Sequence, residues 1–311
     1  MNNYRPEGML ITEVRNSEYT CSVEGLERAL RQGVILEGRV LLCDAFMNLH
    51  IDFGKGVRGI IPKEECQYSE EKDEVKDIAI LTRVGKTVCF KVIGFKETGS
   101  NKKCAVLSRR QAQIECKQYY IDTLAAGDVI PARITHLEHF GAFADIGCGI
   151  VSLLSIDQIS VSRISHPKER VSVGDIVYTV VKSVDEKGRI SLSERELLGT
   201  WEENAALFSE GETVEGIIRS VEDYGVFVEL TPNLAGLAEF RDDVYPGESV
   251  AVYIKSIIPE KMKIKLIIID ISDEAPKKAP LKYFIDPSVT SHIDSWKYSP
   301  ESAKKQIETI F

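Results

Sequence analysis

Two stretches of sequence decide the fold: GDVIPARITHLEHFGAFADIG at residues 127–147 and GETVEGIIRSVEDYGVFVELT at residues 211–231. They align without a gap, so that FGAF at 140–143 falls on YGVF at 224–227. Similarity at a fixed interval within one chain indicates a repeated structural unit. A third and more divergent copy begins GVILEGRVLLCDAFMNLHIDFG at residue 33. The sequence therefore predicts three copies of one small unit.

Each copy has the pattern of five short antiparallel strands. In VEGIIRSV at 214–221, apolar and polar residues alternate and β-branched residues are frequent, which is typical of a strand with one buried face. Five twisted strands in so short a segment bury their inner face by closing into a barrel, and closure also removes exposed edges. The predicted fold class is mainly β, with three tandem five-stranded barrels joined by short helices.

Helical patterns flank and connect the predicted barrels. Ser22 and Gly33 are placed as the N-cap and the stop of an N-terminal helix, and Ser108 and Ser193 stand before two linker helices. Residues at three- and four-residue steps give the second linker helix an apolar face. These residues are Leu197, Trp201, Ala205 and Phe208.

A Pro/Lys-rich hinge, APKKAP at 275–280, separates the third barrel from a tail with a helical pattern. Ser299 followed by Pro300 is a strong helix start, and it predicts a C-terminal helix with an apolar face. Because apolar helical faces are usually buried, we expect the tail to fold back on a barrel, with partner binding as the alternative. The tail also has a basic and aromatic mixture that is typical of a nucleic-acid-binding stripe or of packing onto barrel three, and we expect packing. Its residues are Lys282, Tyr283, Phe284, Trp296, Lys297 and Tyr298. The apolar face consists of Ala303, Ile307, Ile310 and Phe311.

These patterns divide the chain into seven segments. The predicted ranges are an N-terminal extension with a helix at 1–32, a degenerate barrel at 33–110, a linker helix at 111–126, a barrel at 127–195, a linker helix at 196–210, a barrel at 211–271 and a C-terminal extension at 272–311.

The net charge of the chain limits its electrostatic attraction to polyanions. Its formal net charge is −9 over 311 residues, with 39 Lys and Arg against 48 Asp and Glu. Attraction to a nucleic acid must therefore be local rather than a property of the whole molecule. The amino terminus has no apolar stretch of signal-peptide type and no apolar run approaches the ~18 residues of a spanning helix, so we expect a cytoplasmic protein without a membrane partner.

Motifs for catalysis, metals and cofactors are missing from the sequence. The seven cysteines contain no C-x-x-C pair, so we expect reduced thiols rather than a zinc cage or a disulfide framework. His136 and His139 have H-x-x-H spacing but no further ligand residue nearby, which makes a metal site improbable. No Walker loop, G-x-S-x-G elbow or H-E-x-x-H helix is found. We expect a protein that is not an enzyme and has no cofactor.

The second unit resembles a known family. Its F-G-A-F-x-D-I segment, followed by V-G-D-x-V and K-S-V-D-x-x-x-R-I-S-L-S, is similar to the RNA-binding repeat of bacterial ribosomal protein S1, an oligonucleotide-binding (OB) barrel. The resemblance is specific in the second unit, good in the third and weak in the first. It implies that RNA lies across strands two and three, held by two aromatics, a histidine and an Asp-x-x-x-Arg turn.

Carried over residue by residue, the resemblance implies RNA-binding residues in two units. The histidine is missing: its expected place falls at about Ser152 in unit two, and Glu239 lies near it in unit three, where an acid would repel phosphate. Unit one keeps only Phe46, with Leu49 in the second aromatic position. The implied RNA-binding residues are Phe140, Phe143, Asp185 and Arg189 in unit two, and Tyr224, Phe227 and Lys263 in unit three.

The chemistry of these residue types supports the same interpretation. An exposed ring stacks on an unpaired base with about 1–3 kcal/mol and little dependence on sequence. Positions i and i+3 of a straight strand face opposite sides, but Gly141 and Gly225 allow a turn or bulge that brings both rings together. The opposing interpretation is that the rings fill the barrels and that Asp185 and Arg189 form a surface ion pair of little consequence.

Local charge distinguishes the three units. Residues 127–195 carry 9 acids and 8 bases, residues 211–271 carry 11 and 6, and residues 33–110 carry 11 and 14. Unit two is therefore the best predicted RNA site. Unit one has positive charge without the rings, which could steer RNA electrostatically or simply form a solvated face, and we expect the solvated face.

These observations predict a non-catalytic protein that binds single-stranded RNA, such as mRNA, in translation by base stacking and backbone contacts. The small ribosomal subunit is a candidate partner, and a monomer is the candidate oligomeric state. Two alternatives stay open: a protein-interaction scaffold built on degenerate barrels, and an RNA-dependent regulator of expression.

Overall fold

The computed structural model describes residues 4–54, 56–69, 76–98, 102–272 and 281–311. The predicted hinge at 275–280 lies outside these residues. The chain forms two compact units, one of residues 1–124 with 145–151 and one of residues 125–144 with 152–311. Three closed five-stranded barrels confirm the predicted fold class.

The first unit contains two helices followed by barrel one. Strand order in this barrel is β1-β2-β3-β5-β4, with β3 and β5 parallel and the other pairs antiparallel. The elements are α1 (Val14–Thr20), α2 (Val23–Gln32), β1 (Leu36–Cys43), β2 (Leu49–Gly54), β3 (Val57–Ile61), α3 (Asp77–Leu81), β4 (Thr87–Thr98), β5 (Lys102–Ser108) and α4 (Arg109–Tyr119).

Capping signals in the first unit are confirmed. The Ser22 hydroxyl accepts a hydrogen bond from the Gly25 N–H at 3.0 Å, and Gly33 ends α2 in the left-handed conformation at φ 63°. Ser108 caps α4 in the same way, accepting from the Gln111 N–H at 2.9 Å. Short polar side chains and one glycine thus fix where these helices begin and end.

Barrels two and three repeat the five-stranded arrangement. Barrel two has the order β10-β8-β7-β6-β9 and barrel three the order β11-β12-β13-β15-β14, each closed. Barrel two consists of β6 (Val129–Glu138), β7 (Gly141–Gly147), β8 (Ile150–Ser155), β9 (Ile176–Val184) and β10 (Ile190–Ser193). Barrel three follows α5 (Trp201–Ala205) and consists of β11 (Thr213–Glu222), β12 (Gly225–Thr231), β13 (Leu234–Ala238), β14 (Ser249–Ile258) and β15 (Lys263–Ile271).

The predicted second linker is not one continuous helix. A 3₁₀ segment, Arg195–Leu198, ends at Gly199 with φ 85°, and α5 begins after Thr200, whose side chain caps it. Ser193 is not a cap, because its hydroxyl faces the Gln158 carbonyl and the Glu196 carboxylate. The break arises because a positive φ cannot continue a helix.

The predicted C-terminal helix is wrong. Residues 295–310 form a hairpin instead, in which β16 (Ser295–Lys297) pairs with β17 (Glu308–Ile310). The Ser299 hydroxyl accepts from the Ile307 N–H at 2.8 Å, so it closes this hairpin rather than capping a helix. Burial of Trp296 and Tyr298 in the core of barrel three outweighs local helix propensity. The expectation that the tail folds back on a barrel is confirmed.

A buried ion network joins the β8–β9 connection to barrel three within the second unit. Glu229 accepts from Arg219 at 2.7 and 3.0 Å and also pairs with Arg170, while Arg219 pairs with Glu169. Glu229 and Arg170 are buried, and each charge is balanced by an opposite one. No helix in the described part of the chain has the length and apolar character required to span a membrane.

Candidate nucleic-acid interface

Two rings of barrel two meet on its outer surface. Phe140 lies in the two-residue turn between β6 and β7 and is 55% exposed, while Phe143 lies in β7 and is half-buried. Their ring centroids are 6.0 Å apart and their planes are at 89°. Phe140 therefore presents a large part of its ring to solvent, and neither ring belongs to the buried core.

Barrel three repeats this pair. Tyr224, in the turn between β11 and β12, is 69% exposed, and its ring lies 6.1 Å from that of half-buried Phe227 with the planes at 88°. The two pairs agree within 0.1 Å and 1°, which shows that the repeated sequence places its rings in a repeated geometry. The opposing interpretation, in which the rings fill the barrels, does not hold.

The glycines between the rings let the third strand approach closely. A Cβ on Gly141 would lie 2.5 Å from the Leu154 carbonyl oxygen, and one on Gly225 would lie 2.4 Å from that of Ala238. Gly225 also has φ 151°, which L side chains rarely adopt. The predicted turn is present, and the glycine is needed because any side chain would push the neighbouring strand away.

Strand register places further residues beside the rings. In barrel three, Ser220, Phe227, Leu237 and Lys265 form one row across β11, β12, β13 and β15, which we call the ring row. In barrel two the corresponding neighbour of Phe143 is His136, whose ring is stacked on it with centroids 6.3 Å apart and planes at 27°. The His136 Nε2 lies 2.7 Å from Glu138 Oε1.

Sequence reasoning missed His136 and Lys265 as binding candidates. From the sequence, we consider His136 only as a metal ligand. His136 aligns with Ser220, and the strand register pairs Ser220 with Phe227. This alignment could have placed His136 next to Phe143. Lys265 is exposed in the ring row of barrel three, whereas the predicted Lys263 lies two residues nearer the preceding turn. Both lysines lack an ion-pair partner among the residues with described structure.

The Asp185–Arg189 turn exists as expected. Asp185 Oδ2 accepts from the Arg189 Nε at 2.7 Å, and Oδ1 accepts from the Arg189 and Lys187 N–H groups at 2.9 Å each. The hydrogen bonds from the Arg189 backbone and guanidinium lower the pKa of Asp185 below its usual range. Asp185 thus holds a strongly exposed guanidinium that keeps other donors available for phosphate.

The positions that hold a histidine in the family differ in accessibility. In barrel two the structure places Ser155 rather than Ser152 at the position of Glu239, because Gly141 meets Leu154 where Gly225 meets Ala238. Ser155 is half-buried, and Ser152 is buried. Glu239 of barrel three is exposed next to exposed Phe240. Barrel three therefore carries an exposed negative charge directly after Ala238, the register partner of Val226.

Barrel one departs from the predicted alignment. Leu49 is fully buried, and the residue in the place of Phe227 is His50, which pairs with Leu42 and Ile60 on the neighbouring strands. Phe46 is 80% exposed at the tip of a β1–β2 turn that is three residues longer than the turn of barrel three, 44–48 against 223–224. Phe46 and Leu49 have the sequence spacing of the ring pairs but do not occupy the same positions, because the longer turn of barrel one shifts the strand register.

Metal-ligating residues do not assemble in the ranges that the structure describes, where no group of three His, Cys, Asp or Glu could hold an ion. His139 faces His166, with ring centroids 4.9 Å apart, and His136 faces Glu138. The two histidines of the H-x-x-H pattern therefore have separate neighbours.

Comparison with known proteins gives a consistent family relationship. Residues 123–195 match the model of the S1 RNA binding domain. The chain is 31% identical over 278 residues to the small ribosomal subunit protein bS1 of Staphylococcus haemolyticus, covering 84% of this chain and 68% of that protein. It is 30% identical over the same length to bS1 of Staphylococcus aureus, with the same coverage.

Among solved structures, the chain is similar to GSP13 from Bacillus subtilis. The identity is 31%, the match covers 28% of this chain and 75% of that protein, and the TM-score is 0.24. A multidomain protein with nucleic acid binding domains from Streptococcus pneumoniae matches at 16% identity over 79% of this chain and 76% of that one, with a TM-score of 0.26.

Proposed function

The chain belongs to the family of the small ribosomal subunit protein bS1, and we propose that it binds single-stranded RNA on the ring faces of barrels two and three. The observation that carries the proposal is a pair of one exposed and one half-buried ring, found twice in one geometry. Rings that turn a π-face to solvent are suited to unpaired bases and do not select among them.

Each predicted site residue has a role in this proposal. Phe140, Phe143, Tyr224 and Phe227 stack on bases, Arg189 contacts the sugar-phosphate backbone while Asp185 orients it, and Lys263 supplies the cation of barrel three. Because every site is incomplete and the chain carries a net charge of −9, binding is weak, sensitive to salt and tolerant of sequence.

Fluorescence anisotropy with labelled oligo-U at low salt tests this proposal. Phe140→Ala with Phe143→Ala removes two rings, and we expect an affinity loss of about 1–3 kcal/mol per stacked base. Tyr119→Ala is the matched control, because Tyr119 is an exposed ring on α4 outside the barrels. No binding at high micromolar protein, or equal affinity of the double variant and the control, would refute the proposal.

We propose further that the RNA is mRNA and that the protein acts in translation in the cytoplasm, as a monomer and without catalysis. The relatives named above are proteins of the small ribosomal subunit, which supports that subunit as a partner. Co-sedimentation of the purified chain with small subunits, with and without mRNA, tests the association. Light scattering of the purified chain tests the monomer.

A protein-interaction scaffold is the second candidate function. It is favoured by one observation, the exposed Glu239 beside exposed Phe240 directly after β13 of barrel three, which suits a basic protein better than a phosphate. Pull-down before and after nuclease treatment separates the two functions. Partners that persist without RNA support the scaffold, and partners lost with RNA refute it.

A further inference from the structure

The outer face of barrel one contains a pocket of about 580 Å³. This volume is within the roughly 300–1,000 Å³ typical of sites for small molecules or parts of larger ones. Two rows of side chains, each running across neighbouring strands, line it. The row equivalent to the ring row contains Leu42, His50 and Ile60.

The second row brings two cations together. Arg58 on β3 and Lys96 on β4 are both register partners of Cys104 on β5, so they flank this residue from its two sides. Both are exposed, and neither has an ion-pair partner in the described ranges. Burial raises the pKa of the Cys104 thiol, while the nearby charges of Lys96 and Arg58 oppose that rise. The centre of the row is therefore an uncharged thiol between two cations.

The other charged groups around the pocket already have partners. Lys103 pairs with Glu27 at 2.7 Å. Asp52, next to Arg58 in the register, accepts from the Gly54 N–H at 2.8 Å. Asp44 Oδ2 lies 2.9 Å from His50 Nε2, and this hydrogen bond lowers the pKa of Asp44. Arg58 and Lys96 are the two cations of the pocket without a described ion-pair partner, and Asp52, beside Arg58 in the register, is its one carboxylate in the same state.

Barrel one thus differs chemically from the other two. His50 stands where Phe143 and Phe227 stand, and exposed Leu41 and Leu42 give the pocket an aliphatic rather than an aromatic wall. The pocket of barrel one lacks a pair of rings for stacking on a base, but it has two cations that can bind an anion. Contacts of this kind hold a nucleic-acid chain without reading its sequence.

We propose that Arg58 and Lys96 form a phosphate site on barrel one, which takes a phosphate group of an RNA chain or of a free nucleotide. Arg58 supplies directional donors that match phosphate oxygens, and Lys96 supplies a compact charge from the opposite side. For the RNA source, the inference rests on the proposed function of the chain. Its site, residues and chemistry are separate from the ring faces.

The test compares three forms of the full chain with two probes. The pocket variant is Arg58→Gln with Lys96→Gln, and the control is Arg15→Gln with Arg31→Gln, which removes the same charge from exposed positions on α1 and α2. Labelled oligo-U is titrated from 50 to 200 mM salt, and uridine 5′-monophosphate is titrated calorimetrically. Thermal unfolding verifies that all three forms fold.

Each outcome decides the proposal. For the RNA source, the slope of log affinity against log salt becomes shallower only in the pocket variant, by about 0.7 for one phosphate or about 1.4 for two. For the nucleotide source, the monophosphate binds the unmodified chain and the control but not the pocket variant. Unchanged oligo-U binding together with no pocket-dependent binding of the monophosphate overturns the site. Failure of the unmodified chain to bind oligo-U refutes the proposed function instead, and the monophosphate still tests the pocket.

Discussion

At the scale of single residues, substitutions at equivalent positions determine which groups the outer face of each barrel presents to a ligand. The neighbour of the second ring is His136 in barrel two and Ser220 in barrel three, and the ring itself is replaced by His50 in barrel one. Three copies of one backbone therefore carry three different surfaces. The differences lie in outward-facing residues, which the core does not constrain.

The stacking of His136 on Phe143 yields a prediction for RNA affinity. His136→Ala removes one of three adjacent rings, so we expect weaker oligo-U binding, by up to about 1 kcal/mol because the imidazole is smaller than a full aromatic platform. His136→Phe keeps a flat ring and should retain the affinity. Anisotropy titration measures both, and equal affinity of His136→Ala and the unmodified chain would exclude a contribution of this ring.

Gly225 yields a prediction for stability. Gly225→Ala places a Cβ 2.4 Å from the Ala238 carbonyl oxygen at φ 151°, so we expect a loss of about 1–3 kcal/mol and a lower unfolding temperature. Gly94→Ala is the control, because a Cβ there meets no atom within 4 Å. Differential scanning calorimetry compares the two. A smaller loss for Gly225→Ala than for Gly94→Ala would contradict the steric explanation.

At the scale of elements, the tail shows how packing overrides local preference. The residues after Ser299 have a helical pattern, yet the chain pairs β16 with β17 because this arrangement buries Trp296 and Tyr298 against barrel three. Upstream, His292 is held at barrel two, where its Nδ1 lies 2.7 Å from Asp128 Oδ1. The tail is therefore attached to the second unit at more than one place.

The His292–Asp128 contact predicts a pH dependence. The hydrogen bond with Asp128 raises the pKa of His292 above its usual value of 6.5. Because the folded pKa is raised, the stabilisation is complete below 6.5 and is lost as pH rises through the folded pKa. We expect NMR titration to give a pKa above 6.5 for His292, and Asp128→Asn to lower it. A pKa unaffected by Asp128→Asn would show that the contact does not form in solution.

At the scale of the whole molecule, an acidic chain limits RNA affinity to short cationic surfaces. With a net charge of −9, long-range attraction is absent, and the cations proposed to contact phosphate on barrels two and three are Arg189, Lys263 and Lys265. In the proposed mode of binding, stacking contributes a larger share of the binding free energy than in a basic RNA-binding protein, and the stacking contribution does not depend on salt.

This balance predicts a shallow salt dependence. Three phosphate contacts on barrels two and three give a slope of about −2 in log affinity against log salt, or about a 16-fold loss between 50 and 200 mM, and the site on barrel one steepens it by about 0.7 per phosphate. Oligo-U and oligo-A should differ only a few-fold, because rings do not read hydrogen-bonding edges. Anisotropy titrations at four salt concentrations measure the slope. A slope steeper than about −5 would mean that charge rather than stacking dominates.

The predicted domain limits and site residues stay predictions, but the reasons for success and failure in the fold are clear. Ser22, Gly33 and Ser108 were identified correctly because helix capping depends on a few neighbouring residues. The linker after Ser193 and the tail after Ser299 were assigned to helices because their apolar spacing is helical, whereas burial against barrels overrode that spacing.

The sequence by itself determined three closed barrels and the paired rings, because alternation along a strand and repetition along the chain are local and periodic properties. Only the tertiary structure decided which residues stand beside those rings. Strand register decides these positions, and a turn that is longer by a few residues changes every cross-strand partner. It places His136 beside Phe143, Lys265 in the ring row, and Cys104 between Arg58 and Lys96. Spacing along one strand does not contain that information, since it is a property of the neighbouring strands.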